Sequence, residues 1–471
     1  MMKFQSMDQV TNFVEQEKIA WLDIKFCDFT GRLRHITLPA SAHSLDVLRN
    51  NGLGFDASSL NLQTLENADM VLKPCLDAAF IDPFFPEKTL SFLASAVDAV
   101  SGVYSELDPR NIAKKARDYA LKEKICTEAL FAPEYEFYLF KKLEYNQGVL
   151  ADGYRIEPLG HNEVSAELNF GIHEGYHSAP PEDKSLEFRL ETARILGELG
   201  VEIHYHHHEV GGFGQGEFEV GLTPMVRAAD EAVLIKYVAR QLAAKMGFSI
   251  TFMPKPLAGH PGNGMHCHQT LMNKDENLFY DQDGYCGLSQ MATDYICGIL
   301  YNGPALLALT NPSTNSYRRL IPGFEAPTRL FFSGGNRSAA IRIPMYAKNT
   351  GEQRIEFRSP DATANPYFLL AGQLMAGIDG IKNKYDPQTN NFGPVEDNIF
   401  NWPLEKRQTL KALPETLDQA LSALQENSSF LEKGSTFTPQ FINKWIKVKK
   451  TELKEFRGVP HPLELKKYYG V

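Results

Sequence analysis

The amino-acid sequence predicts an α+β protein with a small N-terminal domain and a large C-terminal domain. The first hundred residues carry mainly short alternating stretches that are typical of strands, with one or two helices. Beyond them, strand patterns alternate with long helical patterns to about residue 385, and a charged helical tail occupies residues 400–471. We place the boundary so that the domains span residues 1–105 and 106–471.

The N-terminal domain is predicted to begin with a helix over residues 8–17, whose apolar residues share one face. Residues 19–40 are expected to form a β-hairpin with its turn at Thr30-Gly31. Short strands are expected in residues 71–98. Because proline cannot donate a ladder hydrogen bond, we expect these strands to be interrupted at Pro74, Pro83 and Pro86.

The C-terminal domain is predicted to open with a helix, because Asp108 can cap its N-terminus and Pro109 suits the first helical position. Four longer helical patterns follow. They cover residues 184–199, 228–246, 288–309 and 366–383.

Composition excludes several classes of protein. The 471 residues include 48 Lys+Arg and 58 Asp+Glu, a net charge of −10, which disfavours a nucleic-acid binder. No run reaches the ~18 apolar residues of a membrane span, and the N-terminus lacks the apolar segment of a signal peptide. The six cysteines form no CxxC pair, so we expect reduced thiols in a cytoplasmic protein.

The first candidate site is a strand predicted over residues 131–140, FAPEYEFYLF. Side chains alternate across a strand, so Glu134 and Glu136 are expected on one face, about 7 Å apart. Carboxylates this close repel each other, and a bound cation is the simplest way to keep both ionised. A solvated strand face is the alternative.

Two further segments carry carboxylates and imidazoles. Glu209 and Glu217 flank a glycine-rich turn, so a hairpin would bring them together, although acid pairs across a turn are common without a metal. His266 and His268 stand two residues apart and share one strand face, where imidazoles can bind a metal or a phosphate. Two ordinary histidines are the alternative.

Arginines accompany these groups. The pattern QRIEFR places Arg354, Glu356 and Arg358 on one charged strand face, which a surface strand would also show. Three more arginines lie upstream in loop-rich sequence: Arg319, Arg337 and Arg342. Oxygen-rich ligands without thiolates favour Mg²⁺ or Mn²⁺ over structural Zn²⁺. Hard cations beside arginines suit phosphoryl transfer, although the chain has no P-loop motif.

A series of motifs resembles the bacterial type I glutamine synthetase family, in the family's order and over essentially the full chain. The motifs are FDASS (55–59), ENADM (66–70), IDPFF (81–85), PEYEF (133–137), HHHEV (206–210), GQGE (214–217), FMPKP (252–256), GMHCH (264–268), NPSTNSYRRLIPGFEAP (311–327), NRSAAIRIP (336–344), RIEFR (354–358) and PDATANPY (360–367). So many motifs in one order make chance similarity negligible.

The resemblance implies an N-terminal β-grasp domain and a catalytic domain with a curved antiparallel sheet flanked by helices, in the glutamine synthetase/guanido kinase-like class. It implies a dodecamer of two hexameric rings, with active sites shared between neighbouring subunits. The C-terminal segment 460–471 looks like a helical tether between the rings. The implied reaction is ATP-dependent ligation of ammonia to glutamate, with no nucleic-acid or membrane partner.

The resemblance also implies residue roles, with two Mg²⁺ or Mn²⁺ ions per site and ATP as co-substrate. The first metal would be held by Glu136, Glu209 and Glu217, and the second by Glu134, His266 and Glu356. The nucleotide and its transferred phosphate would contact Arg337, Arg342, Arg354, His268 and Thr270. Glutamate would be bound by Arg319, Arg358 and Gly262. The ammonium site would combine Asp56 and Ser59, from the neighbouring subunit, with Tyr176 and Glu209. Glu325 resembles the flap glutamate.

One departure leaves the substrate open. Where many family members carry an asparagine that helps to hold glutamate, this chain has Pro261, which offers no donor. The alternatives are a ligase that joins glutamate to another amine and a non-catalytic relative with a structural or regulatory role. Lys348 is a candidate for the lysine that contacts ATP in the family.

Overall fold

The computed structural model describes residues 1–60, 62–63, 68–148, 151–159, 173–347, 349–461, 463–464 and 467. Strands and helices mix in this part of the chain as an α+β fold requires. Lys348 and most of the expected C-terminal tether lie outside the described residues. Among the helices that are described, none is both long enough and apolar enough to cross a membrane.

The N-terminal region forms a five-stranded sheet with two helices. Its elements are α1 (Met7–Gln16), β1 (Trp21–Cys27), β2 (Leu33–Pro39), α2 (Ala42–Asn50), β3 (Leu53–Asp56), β4 (Asp69–Asp82) and β5 (Thr89–Asp98). The strand order is β2-β1-β5-β4-β3, with β1 parallel to β5 and the other neighbours antiparallel. The expected first helix, the hairpin and the β-grasp arrangement are confirmed.

The predicted break at Pro74 is wrong. Strand β4 continues through Pro74, and its register with β5 shifts between Pro74 and Ala79. Such an irregularity accommodates a residue without an N–H donor, so the strand does not have to end. Pro83 and Pro86 lie, as expected, in the turn between β4 and β5.

The strands of the C-terminal region form two sheets. They are β6 (Glu128–Pro133), β7 (Tyr135–Gln147), β8 (Asp152–Pro158), β9 (Ile203–His208), β10 (Gln215–Val220), β11 (Thr223–Pro224), β12 (Ser249–Thr251), β13 (Cys267–Asn273), β14 (Glu276–Asn277), β15 (Phe332–Gly334), β16 (Ile341–Ile343) and β17 (Ile355–Phe357). One sheet has the order β12-β7-β10-β9 with β8 beside β7, and the other has β11-β6-β13-β17-β16-β15 with β14 beside β13. The pairing is antiparallel as expected, except that β15 and β16 are parallel.

Helices surround these sheets. They are α3 (Pro109–Lys122), α4 (Leu186–Glu198), α5 (Met225–Lys245), α6 (Gln290–Thr310), α7 (Ser316–Arg319), α8 (Pro366–Asn383), α9 (Leu404–Gln408), α10 (Leu417–Glu426), α11 (Ser429–Glu432) and α12 (Pro439–Arg457). Asp108 caps α3 by accepting from Asn111 N, as predicted. The four long predicted helices form, with ends displaced by at most three residues, because capping residues such as Ser289 set the actual starts. The division at residue 105 stays a prediction.

Arg110 forms a buried ion pair between two helices of the C-terminal region and also contacts strand β4 of the N-terminal sheet, where Asp77 lies 3.3 Å away. Arg110 on α3 donates to both carboxylate oxygens of Asp230 on α5, at 2.9–3.2 Å, and to Cys75 Sγ on β4 at 3.1 Å. Tyr367 on α8 donates to the same carboxylate at 2.6 Å. An aromatic contact adds to this junction, because Phe29 packs against Trp445 with ring centroids 5.5 Å apart.

Replacing Arg110 with methionine should therefore lower the free energy of unfolding by about 3–5 kcal/mol, because Asp230 would be left buried without its cation. The measurement is guanidinium-induced unfolding at matched protein concentration. The control is Arg117→Met on the same helix, where an exposed pair with Asp118 contributes at most about 1 kcal/mol. Equal unfolding midpoints for the two variants would contradict the role of the buried pair.

Candidate active site

The centre of the candidate site is the junction between the two sheets of the C-terminal region. Strand β6 ends at Pro133 and β7 begins at Tyr135, so Glu134 lies where the chain passes from one sheet to the other. The backbone N–H of Glu134 donates to His266 O at 2.8 Å, and the Glu136 carboxylate accepts from Gly264 N at 2.8 Å. Both carboxylates are buried. The solvated strand face is thereby excluded.

Two histidines of strand β13 and the segment before it hold Glu134 between them. His266 Nδ1 lies 2.8 Å from one carboxylate oxygen of Glu134, and His268 Nε2 lies 2.7 Å from the other. His266 also reaches within 3.6 Å of Glu136. Burial opposes ionisation, but His268 and His266 hold the pKa of Glu134 well below its usual range. The histidines are thus part of a charged centre.

Strand β10 adds further carboxylates. Its pairing with β7 sets Glu217 opposite Glu136, and its pairing with β9 sets Glu217 opposite His207, whose Nε2 lies 3.2 Å away. Burial and the neighbouring carboxylates raise the pKa of Glu217 well above its usual range. Burial together with Glu136 raises the pKa of Glu209 to about 8. The cluster therefore holds more negative charge than its own hydrogen bonds stabilise.

Glu356 on β17 is the carboxylate that arginines neutralise. Arg342 Nη1 lies 2.7 Å from one of its oxygens, and Arg358 donates to the other. Despite burial, which opposes ionisation, Arg358 lowers the pKa of Glu356 to about 2. His266 Nδ1 lies 3.8 Å from the same carboxylate, so the QRIEFR strand belongs to the cluster and not to the surface.

Arg319 also contacts the cluster of carboxylates and histidines. Its Nη2 lies 3.1 Å from His266 Nε2, and its Nη1 donates to Ser359 O at 2.9 Å. The guanidinium is buried, and burial lowers its pKa from the usual value. In the described residues it forms no ion pair with a carboxylate, which suits a group that binds an anionic substrate.

The loop that carries Pro261 is held through its carbonyl groups. Pro261 O accepts from the Tyr138 hydroxyl at 2.9 Å, and Gly262 O accepts from Gln215 Nε2 at 2.9 Å. The proline ring adds no donor. Any contact from this loop to a substrate must therefore come from backbone or from a neighbouring side chain.

The predicted flap residue lies in a strained turn beside an arginine. Glu325 has a φ of 53°, which is uncommon for a residue with a Cβ. Its carboxylate lies 3.7 Å from Arg337 Nη1, and both side chains are largely exposed. The Tyr176 hydroxyl bonds to the same guanidinium. The structure therefore brings these three predicted residues together at the rim.

One of the residues predicted for the nucleotide contacts a histidine of the cluster. Arg354 Nε is 3.4 Å from His268 Nδ1. The hydroxyl of Thr270, by contrast, donates to Asn277 Oδ1 at 2.8 Å within the protein. Its role toward a nucleotide stays a prediction.

Asp56 and Ser59 belong to a different part of the chain. Asp56 ends β3, the edge strand of the N-terminal sheet, and accepts from the hydroxyls of Ser58 and Ser59 at 2.7 Å each. These bonds lower the pKa of Asp56. As far as the structure describes the chain, the recorded bonds of Asp56 stay within its own loop and do not reach the carboxylate cluster.

Three residues of the site were not singled out from the sequence. Glu219 follows Glu217 by two residues on β10, and burial with Glu134 raises its pKa to about 7. The alternation in QGEFEV carried this signal, as did the run HYHHH for His207. Tyr346 lies 5.8 Å from the Arg342 guanidinium and 5.5 Å from that of Arg354, and no sequence pattern marks it.

The donor set fits hard divalent cations. Three groups have ligand atoms that all lie within 4.8 Å of one another: Glu134, Glu217 and His266; Glu134, Glu219 and His268; and His207, Glu217 and Glu219. The oxygens outnumber the imidazole nitrogens, and the raised pKa values mark charge that a cation would neutralise. These three groups do not coincide with the two predicted ligand triplets. Of the six predicted ligands, they contain Glu134, Glu217 and His266.

Comparison with known proteins agrees with this geometry. The family model described as the beta-Grasp domain of glutamine synthetase matches residues 18–99, and the model of the glutamine synthetase catalytic domain matches residues 106–468. The glutamine synthetase of Aquifex aeolicus is 41% identical over 469 residues, covering 98% of this chain and 99% of the relative. That of Streptomyces coelicolor is 40% identical over 476 residues, covering 99% and 100%.

Two solved structures share the fold over nearly the whole chain. A cryo-EM structure of Plasmodium falciparum glutamine synthetase has a TM-score of 0.90 at 25% identity and covers 100% of both chains. A structure described as apo GmaS without ligand has a TM-score of 0.81 at 25% identity and covers 98% of this chain and 99% of the other. With both domain models and full-length relatives in agreement, this chain belongs to the glutamine synthetase family.

Proposed function

We propose that the chain is an ATP-dependent carbon–nitrogen ligase that joins ammonia to the side-chain carboxylate of glutamate through a γ-glutamyl phosphate. The observation that carries this proposal is the buried cluster of glutamates and histidines bordered by arginines, in a chain of this family. Such a centre can neutralise a transferring phosphoryl group, which is the main task in phosphoryl transfer.

The residue roles follow from charge and position. Glu136, Glu209 and Glu217 would hold one divalent cation, and Glu134, His266 and Glu356 a second, as Mg²⁺ or Mn²⁺. Bound there, the cations would supply charge neutralisation to the ATP phosphates and the glutamate. Arg337 and Arg342 would neutralise the γ-phosphate as it moves, with Arg354, His268 and Thr270 on the nucleotide side. Arg319, Arg358 and the backbone of Gly262 would bind glutamate.

The second step of the reaction, which forms the amide, needs a base that takes a proton from ammonium. We assign this role to Asp56 of the partner subunit, assisted by Ser59 of the partner subunit and by Tyr176. The ammonia formed when ammonium gives a proton to Asp56 of the partner subunit would attack the acyl phosphate carbon. Phosphate would leave, and Glu325 would accept the proton that the new amide nitrogen releases. Glu325 in the rim turn would exclude water while this happens.

Because Asp56 lies apart from its own cluster, we propose a dodecamer of two hexameric rings with shared sites. Six free cysteines support a cytoplasmic location.

The direct test is phosphate release from ATP with Mg²⁺ or Mn²⁺, using glutamate and ammonium beside a panel of primary amines. Turnover with ammonium well above every amine supports the proposal. Turnover with an amine alone would assign the chain to γ-glutamylamide synthesis, the alternative that Pro261 favours. No turnover from assembled protein would support the non-catalytic alternative.

Asp56→Ala should lower ammonia-dependent synthesis by about 10²–10⁴-fold, because a general base is lost, while glutamate and ATP binding persist. The matched control is Asp69→Ala, since Asp69 is the exposed residue paired directly with Asp56 on β4. Synthesis rates and calorimetric binding measure the two effects.

Mixed rings test whether the site is shared. When Asp56→Ala subunits are reassembled with an equal amount of Arg342→Gln subunits, roughly a quarter of the wild-type activity should return. In about a quarter of the interfaces, the subunit that supplies Arg342 and the neighbour that supplies Asp56 both carry the intact residue. If neither single variant is rescued, or if an active monomer is found, the shared site is wrong.

Metal binding should strengthen with rising pH. Glu209, with its pKa raised to about 8, is protonated below that value, and a cation must displace the proton. From about pH 8.5 to about pH 6.5, affinity for Mg²⁺ should fall at least about tenfold. Calorimetry in two buffers of different ionisation enthalpy measures the released protons. Glu209→Gln should reduce this release, and pH-independent binding without proton release would contradict the assignment.

A further inference from the structure

A second cleft lies between the N-terminal sheet and helices α5 and α12. Its volume is about 1320 Å³, and of the site residues named above only Ser59 lines it. Its walls are the turn between β1 and β2, one face of α5 and the segment Ile250–Met253. Apart from Ser59, no residue with a role in the proposed ligase reaction lines this space.

Some basic side chains of the cleft are already neutralised. Arg34 pairs with Asp28 at 2.9 Å, and Lys449 pairs with Glu452 at 2.9 Å. Lys25 pairs with Asp23 and Asp82 of its own sheet. Asp28 and Glu452 are the acidic side chains among the described lining residues, so both are committed to these pairs.

Three other basic side chains of the cleft have no anionic partner. Within the described parts of the chain, neither Arg32 in the β1–β2 turn nor Lys236 and Arg240 on α5 forms an ion pair with a carboxylate. The Lys236 ammonium donates to Ala362 O at 3.2 Å, a neutral acceptor. Three basic groups that line the cleft are therefore not neutralised by an ion pair within the described residues.

These charges destabilise one another. Burial and the Arg240 charge together lower the pKa of Lys236 to about 8, against the opposing effect of Cys27 and Asp361. Burial and the Arg32 charge lower the pKa of Arg240. Cations that repel each other in a partly buried cleft are stabilised by a bound anion, and guanidinium groups bind phosphate and carboxylate oxygens in forked pairs.

We propose that this cleft is a second ligand site, which binds a small organic molecule through a multivalent oxyanion held by Arg32, Lys236 and Arg240. Apolar side chains such as Leu33 and Phe252 share the lining and leave room for the organic part. The oxyanion is a phosphate ester or a polycarboxylate, and both classes satisfy the same three cations.

The test is calorimetric titration of the assembled full-length protein, in metal-free buffer, with pyrophosphate as the phosphate probe and citrate as the carboxylate probe. The cleft should appear as a binding event that Arg240→Gln and Lys236→Gln each weaken at least tenfold. Lys245→Gln removes the same charge from an exposed position of α5 and should leave it unchanged. The probe that binds more tightly identifies the oxyanion class.

The probes could also bind at the proposed catalytic arginines, and Arg342→Gln distinguishes the two sites. This variant should abolish the binding event of the active site and leave the binding event of the cleft unchanged. Because the measurement needs no turnover, it stands even if the ligase assay fails. A cryo-EM map with the tighter probe should show density between the three cations. The proposal is overturned if Arg240→Gln and Lys245→Gln bind both probes alike, or if the map shows a carboxylate of a neighbouring subunit in the cleft.

Discussion

Repulsion among buried carboxylates is the constraint around which this molecule is organised. Six glutamates converge at the junction of two sheets: Glu134, Glu136, Glu209, Glu217, Glu219 and Glu356. Their charge is offset unequally. Histidines stabilise Glu134 and arginines stabilise Glu356, so both have lowered pKa values, whereas Glu209 and Glu217 have raised ones. A bound cation would stabilise the ionised forms of Glu209 and Glu217 most, because no cationic side chain among the described residues offsets their charge. Metal binding therefore contributes to the stability of the site.

Strand register creates this convergence. A shift of one residue between β7 and β10 would turn Glu217 away from Glu136, because side chains alternate across a strand. Phe137 and Phe218, which alternate with these glutamates, are stacked with centroids 5.1 Å apart in the core. The same pairing therefore buries the aromatic residues on one face and collects the carboxylates on the other, so the core enforces the geometry of the site.

The two regions of the chain are coupled by charge as well as by apolar packing. Arg110 is buried and almost surrounded by Asp230, Tyr367 and Cys75, which belong to different elements. In the second cleft, by contrast, Arg32 and Arg240 form no ion pair with any carboxylate that the structure describes, and the Arg32 charge lowers the pKa of Arg240. The basic groups without an ion pair in the second cleft thus lie where the N-terminal sheet meets the helices. The excess of carboxylates lies where the two sheets of the C-terminal region meet.

The sequence by itself determined the α+β class, the positions of the long helices and most residues of the carboxylate cluster. These depend on local information: hydrophobic period, capping residues such as Asp108, and the two-residue spacing of Glu134 with Glu136 or of His266 with His268. Glu219 has the same two-residue spacing from Glu217, so its place in the cluster was also accessible from the sequence. The family's motif order supplied roles that spacing alone left open, such as those of Asp56 and Glu325.

Only the tertiary structure decided which of these groups meet. Local patterns do not show that Glu134 lies at a break between two sheets, that Pro74 is accommodated inside a strand, or that Tyr346 lies beside two arginines. They also do not show that Arg32 and Arg240, more than two hundred positions apart, line one cleft. Each of these facts depends on contacts between distant segments, which arise from packing of the whole chain and leave no periodic signal in the sequence.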